Sequence, residues 1–108
     1  MDVEYWEGSN GRSPVKEVIL ELPIKLRKKI VDAIDRLEEF GFGLLGTSHF
    51  EKINPHNLYS LRVRFKNQRW RILSCFYNNS FVLLHIFLKR SPVIPIKEIN
   101  VALRRKPE

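Results

Sequence analysis

The chain of 108 residues has one cysteine, Cys75, and no long apolar run. A single cysteine cannot form a disulfide within the chain or a cysteine-based zinc site. No apolar run approaches the roughly 20 residues that cross a bilayer, and the first residues are acidic where a signal peptide is basic. Because a free thiol suits a reducing compartment, we expect a soluble, cytoplasmic protein without a membrane partner.

Metal ligands and hydrolase motifs are also scarce. His49 and His56 do not have metal-ligand spacing with each other or with the cysteine. No G-x-S-x-G sequence occurs, and acidic residues nearly vanish after Glu51. We therefore expect no metal site, no cofactor and no Ser-His-Asp hydrolase.

Basic residues, by contrast, are abundant and unevenly placed. Apolar and aromatic residues make up 44% of the chain, which is typical of one globular domain over residues 1–108. The net charge is +7; residues 1–60 hold eight basic and ten acidic side chains, whereas residues 61–108 hold eleven and two. This segregation favours an anionic partner such as nucleic acid, although a solvated basic surface has the same composition.

Hydrophobic periodicity predicts an α+β domain with the order βααββββα. The predicted elements are an edge strand over 2–7, a helix that begins at Pro14 and breaks at Pro23, a second helix up to Gly41, strands over 50–53, 58–65, 69–77 and 81–89, and a helix from Pro95 that ends before Pro107. Short polar turns between the strands indicate an antiparallel meander. We expect the two N-terminal helices to back this sheet.

Alternation along the strands predicts where the charges lie, because successive side chains point to opposite faces. In the last strand, alternation makes one face wholly aliphatic through Val82, Leu84, Ile86 and Leu88. If the helices cover that side, the opposite face gathers Arg62, Arg64, Arg69, Arg71, His85 and Lys89 beside Phe87 and Tyr77. Such a surface suits single-stranded RNA, although arginines that only solvate an exposed sheet give the same pattern.

Four segments occur in a specific order between about residues 50 and 105: LYSLRVRF, RWRILSCFY, LLHIFLKR and P-x-x-EI-x-x-A, with Arg104 behind them. This ordered set resembles the RelE/HigB toxins, specifically the phage-derived HigB-like branch. The resemblance implies a helix-backed, twisted antiparallel sheet. It also implies a type II toxin that cleaves messenger RNA in the A site of the small ribosomal subunit, and a cognate HigA-like helix-turn-helix antitoxin.

The resemblance also implies roles for individual residues. It maps Arg62 onto the leucine-arginine position of that branch, Arg71 onto its tyrosine-arginine position, His85 onto its leucine-histidine position, and Lys89 and Arg90 onto its paired lysines. Attack of a ribose 2′-hydroxyl on the adjacent phosphate requires charge stabilisation and proton transfer at both ends. We expect Arg62 and Arg71 to clamp the phosphate and Lys89 or Arg90 to add charge near the leaving oxygen. His85 is a candidate acid–base group or a structural histidine. The candidate RNA-binding residues are Lys52, Arg64, Arg69, Tyr77, Phe87 and Arg90.

The segment between the Lys89–Arg90 pair and the last helix departs from the pattern. It reads SPVIPI over 91–96, where the resembled branch commonly carries further lysines. The loss of two cations indicates fewer RNA contacts or a surface suited to a protein partner. Two alternatives therefore stay open: a ParE-like toxin that binds DNA gyrase, and a decayed or non-catalytic RNA-binding relative. The retained arginines favour the ribonuclease.

Overall fold

The computed structural model describes residues 1–107, which form three α-helices and one five-stranded sheet. The elements are β1 (Asp2–Tyr5), α1 (Pro14–Glu21), α2 (Ile24–Phe40), β2 (Phe50–Ile53), β3 (Leu58–Phe65), β4 (Gln68–Tyr77), β5 (Ser80–Lys89) and α3 (Ile96–Arg105). The predicted α+β class and element order are confirmed. No helix in the described part of the chain combines the length and apolar character needed to cross a membrane.

The strand order across the sheet is β1-β5-β4-β3-β2. Strands β2 to β5 form the predicted antiparallel meander, and β1 occupies an edge, as expected. However, β1 pairs with β5 in parallel, so the sheet is mixed. No turn joins these two strands directly, and the direction of their pairing is therefore set by the path of the chain through α1 and α2.

Two-residue turns fix the register between β3 and β4 and between β4 and β5. Strands β4 and β5 each begin one residue earlier than predicted, which leaves only Lys66 and Asn67 in one turn and Asn78 and Asn79 in the other. Both asparagines of the second turn have positive φ angles, 49° and 64°. This conformation is that of the tight hairpin turn whose twist matches the flanking strands, so β4 and β5 pair in a defined register from this turn.

Helices α1 and α2 pack on one face of the sheet. Their apolar residues recur at the helical period, so each helix presents one apolar side to the strands. Gly41, at a φ of 52°, ends α2. The core on this side contains Val15, Ile19, Leu26, Ile30, Ala33, Ile34, Leu37, Phe50, Leu61, Val63, Ile72, Phe81, Leu83 and Ile86.

Helix α3 packs on the opposite face, which makes the sheet the central layer of three. It begins at Ile96 with Pro95 in the N-cap position, one residue later than predicted. A second core lies beneath it and contains Leu58, Leu73, Cys75, Val82, Leu84, Phe87, Ile99 and Ala102. Cys75 is buried there as a free thiol.

A β-bulge in β5 explains how both faces of this strand become apolar. Leu73 pairs with His85, but the next residue of β4, Ser74, pairs with Leu83, so Leu84 is an extra residue. The bulge shifts the alternation by one position. The prediction of one wholly aliphatic face was therefore wrong: Leu84 contributes to the core under α3, whereas Ile86 contributes to the core under α1 and α2.

Candidate nucleic-acid interface

Two rows of cross-strand neighbours bring five basic side chains together. In the first row Arg62 of β3 pairs with Arg71 of β4, which pairs with Phe87 of β5. In the second row Arg64 pairs with Arg69, which pairs with Lys89. Paired residues of antiparallel strands share a face, with Cβ atoms about 4.5–5.5 Å apart. These five side chains, called the basic cluster below, are Arg62, Arg64, Arg69, Arg71 and Lys89.

The basic cluster lies on the same face of the sheet as α3 but beyond the end of that helix. Ile99 and Ala102 of α3 cover the next rows of the sheet, around Leu73 and Leu84. The cluster occupies the remaining end, beside the turn between β3 and β4. The C-terminal helix thus covers half of this face and leaves the half that carries the charges.

Arg71 is the most enclosed member of the cluster, with only 9% of its surface exposed. Its Nη1 donates to the carbonyl oxygen of Trp70 over 3.1 Å, and none of the ion pairs among residues 1–107 includes it. Burial lowers the pKa of Arg71, and the charges of Arg62 and Arg69 lower it further against the opposing effect of Glu51. A buried cation among like charges costs folding free energy, so this position is suited to an external anion.

Glu51 is a carboxylate inside this basic environment. Its Oε2 lies 2.6 Å from Nη2 of Arg62, across the boundary between β2 and β3. The Nε atom of Arg62 is buried and has no hydrogen-bond partner among the described residues. The sequence did not predict a role for Glu51, because its proximity to Arg62 depends on the register between β2 and β3. The available signal was that Glu51 is the one acidic residue of its strand and that the next strand carries arginines.

Lys89 and Arg90 mark the outer side of the basic cluster. Lys89 Nζ donates to the carbonyl oxygen of Pro92 over 3.0 Å. Burial lowers the pKa of Lys89, and the charges of Arg71, Arg69 and Arg62 lower it further. Arg90 is exposed at the end of β5 and lines a shallow cleft with Lys89. The following segment is apolar on its surface, with Val93 72% and Ile96 62% exposed.

His85 is held by α3 instead of facing the basic cluster freely. Its Nε2 lies 2.9 Å from Oε1 of Glu98, and the two side chains are only 17% and 19% exposed. The imidazole stacks on Phe87, with ring centroids 5.5 Å apart. Phe87 is itself buried, which leaves no free face of its ring for a base. The contact between His85 of β5 and Glu98 of α3 therefore holds α3 against the sheet next to the basic cluster.

Two of the candidate RNA-binding residues lie away from the basic cluster. Lys52 pairs with Tyr59, which packs against the core under α1 and α2, so Lys52 is on the face opposite Arg62. Tyr77 lies six residues from Arg71 along β4, roughly 20 Å at the rise of a strand, and α3 packs on the sheet between them. The structure does not bring either side chain to the cluster.

A cleft of about 700 Å³ opens beside the cluster and extends to α2. Its lining residues are Lys29, Asp32, Arg36, Ser48, His49, Arg62, Val63, Arg64, Arg69 and Arg71. Sequence reasoning missed the contribution of α2, because polar side chains on one side of an amphipathic helix are typical of a solvated surface. Within residues 1–107 no group of three His, Cys, Asp or Glu side chains is placed to hold a metal ion.

Comparison with known families identifies the chain. The family model described as "Phage derived protein Gp49-like (DUF891)" matches residues 17–107, which include the whole meander, α3 and the basic cluster. No curated protein matches the chain significantly. The Gp49-like family is of the RelE toxin type and is associated with the toxins of toxin–antitoxin systems, which implies an antitoxin partner. The chain belongs to the Gp49-like family of phage-derived proteins.

Proposed function

We propose that this protein is the toxin of a type II toxin–antitoxin system of the HigB-like branch and that it inhibits translation by cleaving messenger RNA in the ribosomal A site. The observation that carries the proposal is Arg71, an enclosed guanidinium without an acidic ion-pair partner among the described residues, flanked by Arg62, Arg69 and Lys89. Such an arrangement favours binding of a phosphate, because one guanidinium group can donate two hydrogen bonds to the oxygens of the same phosphate.

The proposed reaction is an attack of the ribose 2′-hydroxyl on the adjacent phosphate. A bond forms between O2′ and phosphorus, the bond between phosphorus and O5′ breaks, and the products carry a 2′,3′-cyclic phosphate and a 5′-hydroxyl. Arg62 and Arg71, which are direct neighbours across two strands, hold the phosphate from one side. They stabilise the negative charge that grows on its oxygens in the transition state. The chemistry of these steps needs no metal ion.

Two proton transfers complete the reaction, and side chains around the phosphate site can supply both. Glu51 is a carboxylate beside Arg62 and is our candidate for the group that accepts the 2′-hydroxyl proton. Lys89 is our candidate for the group that protonates O5′, because its lowered pKa makes it a better proton donor than an ordinary lysine. His85 of β5, whose Nε2 contacts Glu98 of α3, is assigned the role of positioning α3 on the sheet.

The partners follow from the same proposal. A HigA-like helix-turn-helix antitoxin neutralises the toxin, and messenger RNA on the ribosome is the substrate. Binding of RNA through several phosphates makes the affinity depend steeply on salt concentration. An interaction that does not change with salt would instead indicate a protein target.

Inducible expression in bacteria, followed by primer extension on an abundant messenger RNA, tests the proposal. We expect growth arrest and in-frame cuts at codons with the wild-type protein and neither with Arg71→Ala. Arg104→Ala is the matched control, since Arg104 is exposed on α3 away from the basic cluster. Far-ultraviolet circular dichroism and antitoxin binding must be unchanged in both variants. Arrest with intact messages and damaged DNA would replace the ribonuclease with a gyrase-binding toxin, and the absence of arrest would favour a non-catalytic RNA-binding protein.

A further inference from the structure

The basic surface continues around an unpaired edge of the sheet. Along β3, strand β2 pairs with Leu58–Leu61, and one further hydrogen bond joins the Arg62 N–H to the His49 carbonyl over 2.8 Å. The chain before His49 then leaves the sheet. Val63 and Arg64 of β3 therefore have β4 on one side and the cleft on the other.

Cations line both walls of this cleft. Lys29 and Arg36 project from α2, and the arginines of the basic cluster face them from β3 and β4. Asp32 is the acidic residue in the lining. None of the ion pairs among residues 1–107 includes Lys29, Asp32 or Arg36. The positive charge of the cleft is thus largely uncompensated by the protein itself.

The cleft also offers hydrogen-bond donors, because arginines from both of its walls, including Arg36 and Arg62, line it. The N–H groups of alternate strand residues point to the same side. Since the Arg62 N–H points towards His49, the Arg64 N–H points into the cleft. Guanidinium and backbone N–H groups together are the donors that bind phosphate oxygens.

We propose that this cleft is a second phosphate-binding subsite, which holds the backbone of single-stranded RNA next to the scissile phosphate. The proposal rests on the proposed function for the identity of the ligand. Arg62 and Arg71 belong both to the cluster and to the cleft lining, so one strand of RNA can pass from the cluster to α2 over continuous basic surface. An acidic peptide is less suited, because residues 63–65 are too short an edge to pair with an added strand.

Binding of uncleavable RNA measures this subsite directly. Fluorescence anisotropy compares 2′-O-methyl oligonucleotides of three and twelve nucleotides on wild-type protein and on Lys29→Gln, Arg36→Gln and the double variant. Lys28→Gln is the matched control, because Lys28 is an exposed neighbour on α2 that does not line the cleft. Lys29 is also exposed, so its replacement leaves the core intact, and the thermal midpoint verifies the folding of each variant.

We expect the double variant to bind the twelve-nucleotide RNA roughly tenfold more weakly. Each single variant should reduce the slope of log affinity against log salt by about 0.7. Binding of the three-nucleotide RNA and of the Lys28→Gln variant should match the wild type. Equal effects of Lys28→Gln and Lys29→Gln, or no binding of the longer RNA by the wild type, would overturn the proposal. So would a twelve-residue polyglutamate that competes more strongly than the RNA.

Cleavage of messenger RNA, assayed separately, distinguishes this proposal from the proposed function. If binding of the twelve-nucleotide RNA depends on Lys29 and Arg36 but no message is cut, the subsite stands and the ribonuclease activity is refuted. If messages are cut but the α2 variants bind and cleave like the wild type, the subsite is refuted and the activity stands.

Discussion

Replacing Arg71 with methionine should move activity and stability in opposite directions. The side chain is buried among Arg62, Arg69 and Lys89 and takes part in no ion pair within residues 1–107. A structural arginine normally forms an ion pair with an acidic side chain, and replacing the arginine leaves that acid unpaired. Replacing Arg71 instead removes repulsion between like charges, so the free energy of unfolding should change little.

The magnitudes follow from general energetics. Replacement of a buried ion pair by apolar residues is often neutral or stabilising by about 1–4 kcal/mol, and replacement of Arg71 leaves no ion-pair partner behind among residues 1–107. By contrast, hydrogen bonds to charged groups contribute about 1.5–3 kcal/mol each, and loss of one transition-state donor reduces rates about 100- to 1,000-fold. We therefore expect Arg71→Met to reduce cleavage at least about 100-fold while the free energy of unfolding stays the same or rises.

Urea denaturation and cleavage of ribosome-bound message, measured on the same preparations, test this prediction. Arg104→Met serves as the control for general effects of removing an arginine, because Arg104 is exposed on α3. The stability gain should shrink at high salt, since screening weakens the repulsion between the exposed parts of the cluster. A loss of several kcal/mol of unfolding free energy in Arg71→Met would refute the reasoning and make Arg71 a structural residue.

Further predictions concern the groups around the cluster. Glu51→Gln should bind uncleavable RNA more tightly because it removes a negative charge, and it should cleave message at least about tenfold more slowly because it removes the candidate base. Unchanged cleavage would show that Glu51 only orients Arg62. His85→Gln should leave cleavage unchanged but lower the free energy of unfolding by about 1–2 kcal/mol, because it weakens the contact with Glu98. Urea denaturation measures this loss, with Lys97→Ala as the control at an exposed neighbour, and loss of cleavage in a stable variant would make His85 catalytic. RNA affinity should fall as pH rises through the pKa of Lys89, which lies below the ordinary 10.5, since only the charged amine binds phosphate. In Lys89→Arg the loss of affinity should occur at higher pH, and an unchanged pH profile would show that Lys89 does not cause the loss.

Local patterns in the sequence were sufficient for the element order and for the first step towards the site. Period-two alternation in LYSLRVRF and RWRILSCFY places Arg62, Arg64, Arg69 and Arg71 on one face. The predicted short turn after Phe65, which the structure shortens to Lys66 and Asn67, then brings the arginines side by side. Both signals act over a few residues, because strand pleat and turn length are properties of the local backbone.

Alternation failed where the backbone departed from regular geometry. The bulge at Leu84 carries no glycine or proline that marks it in the sequence. It shifts the following residues of β5 and allows this strand to contribute to both cores. A strand with apolar residues at nearly every position is compatible with either register, so packing on its two faces decides which residue is the extra one.

The sequence by itself determined the element order, the segregation of charge and the alignment of four arginines on two neighbouring strands. The tertiary structure decided which face α3 covers, that Glu51 reaches Arg62, that Lys52 lies on the opposite face, and that Lys29 and Arg36 share a cleft with the arginines. These contacts join residues far apart in the chain. They depend on where the strand β2 ends and how the helices pack, and these features result from burial of the whole core and not from any local pattern.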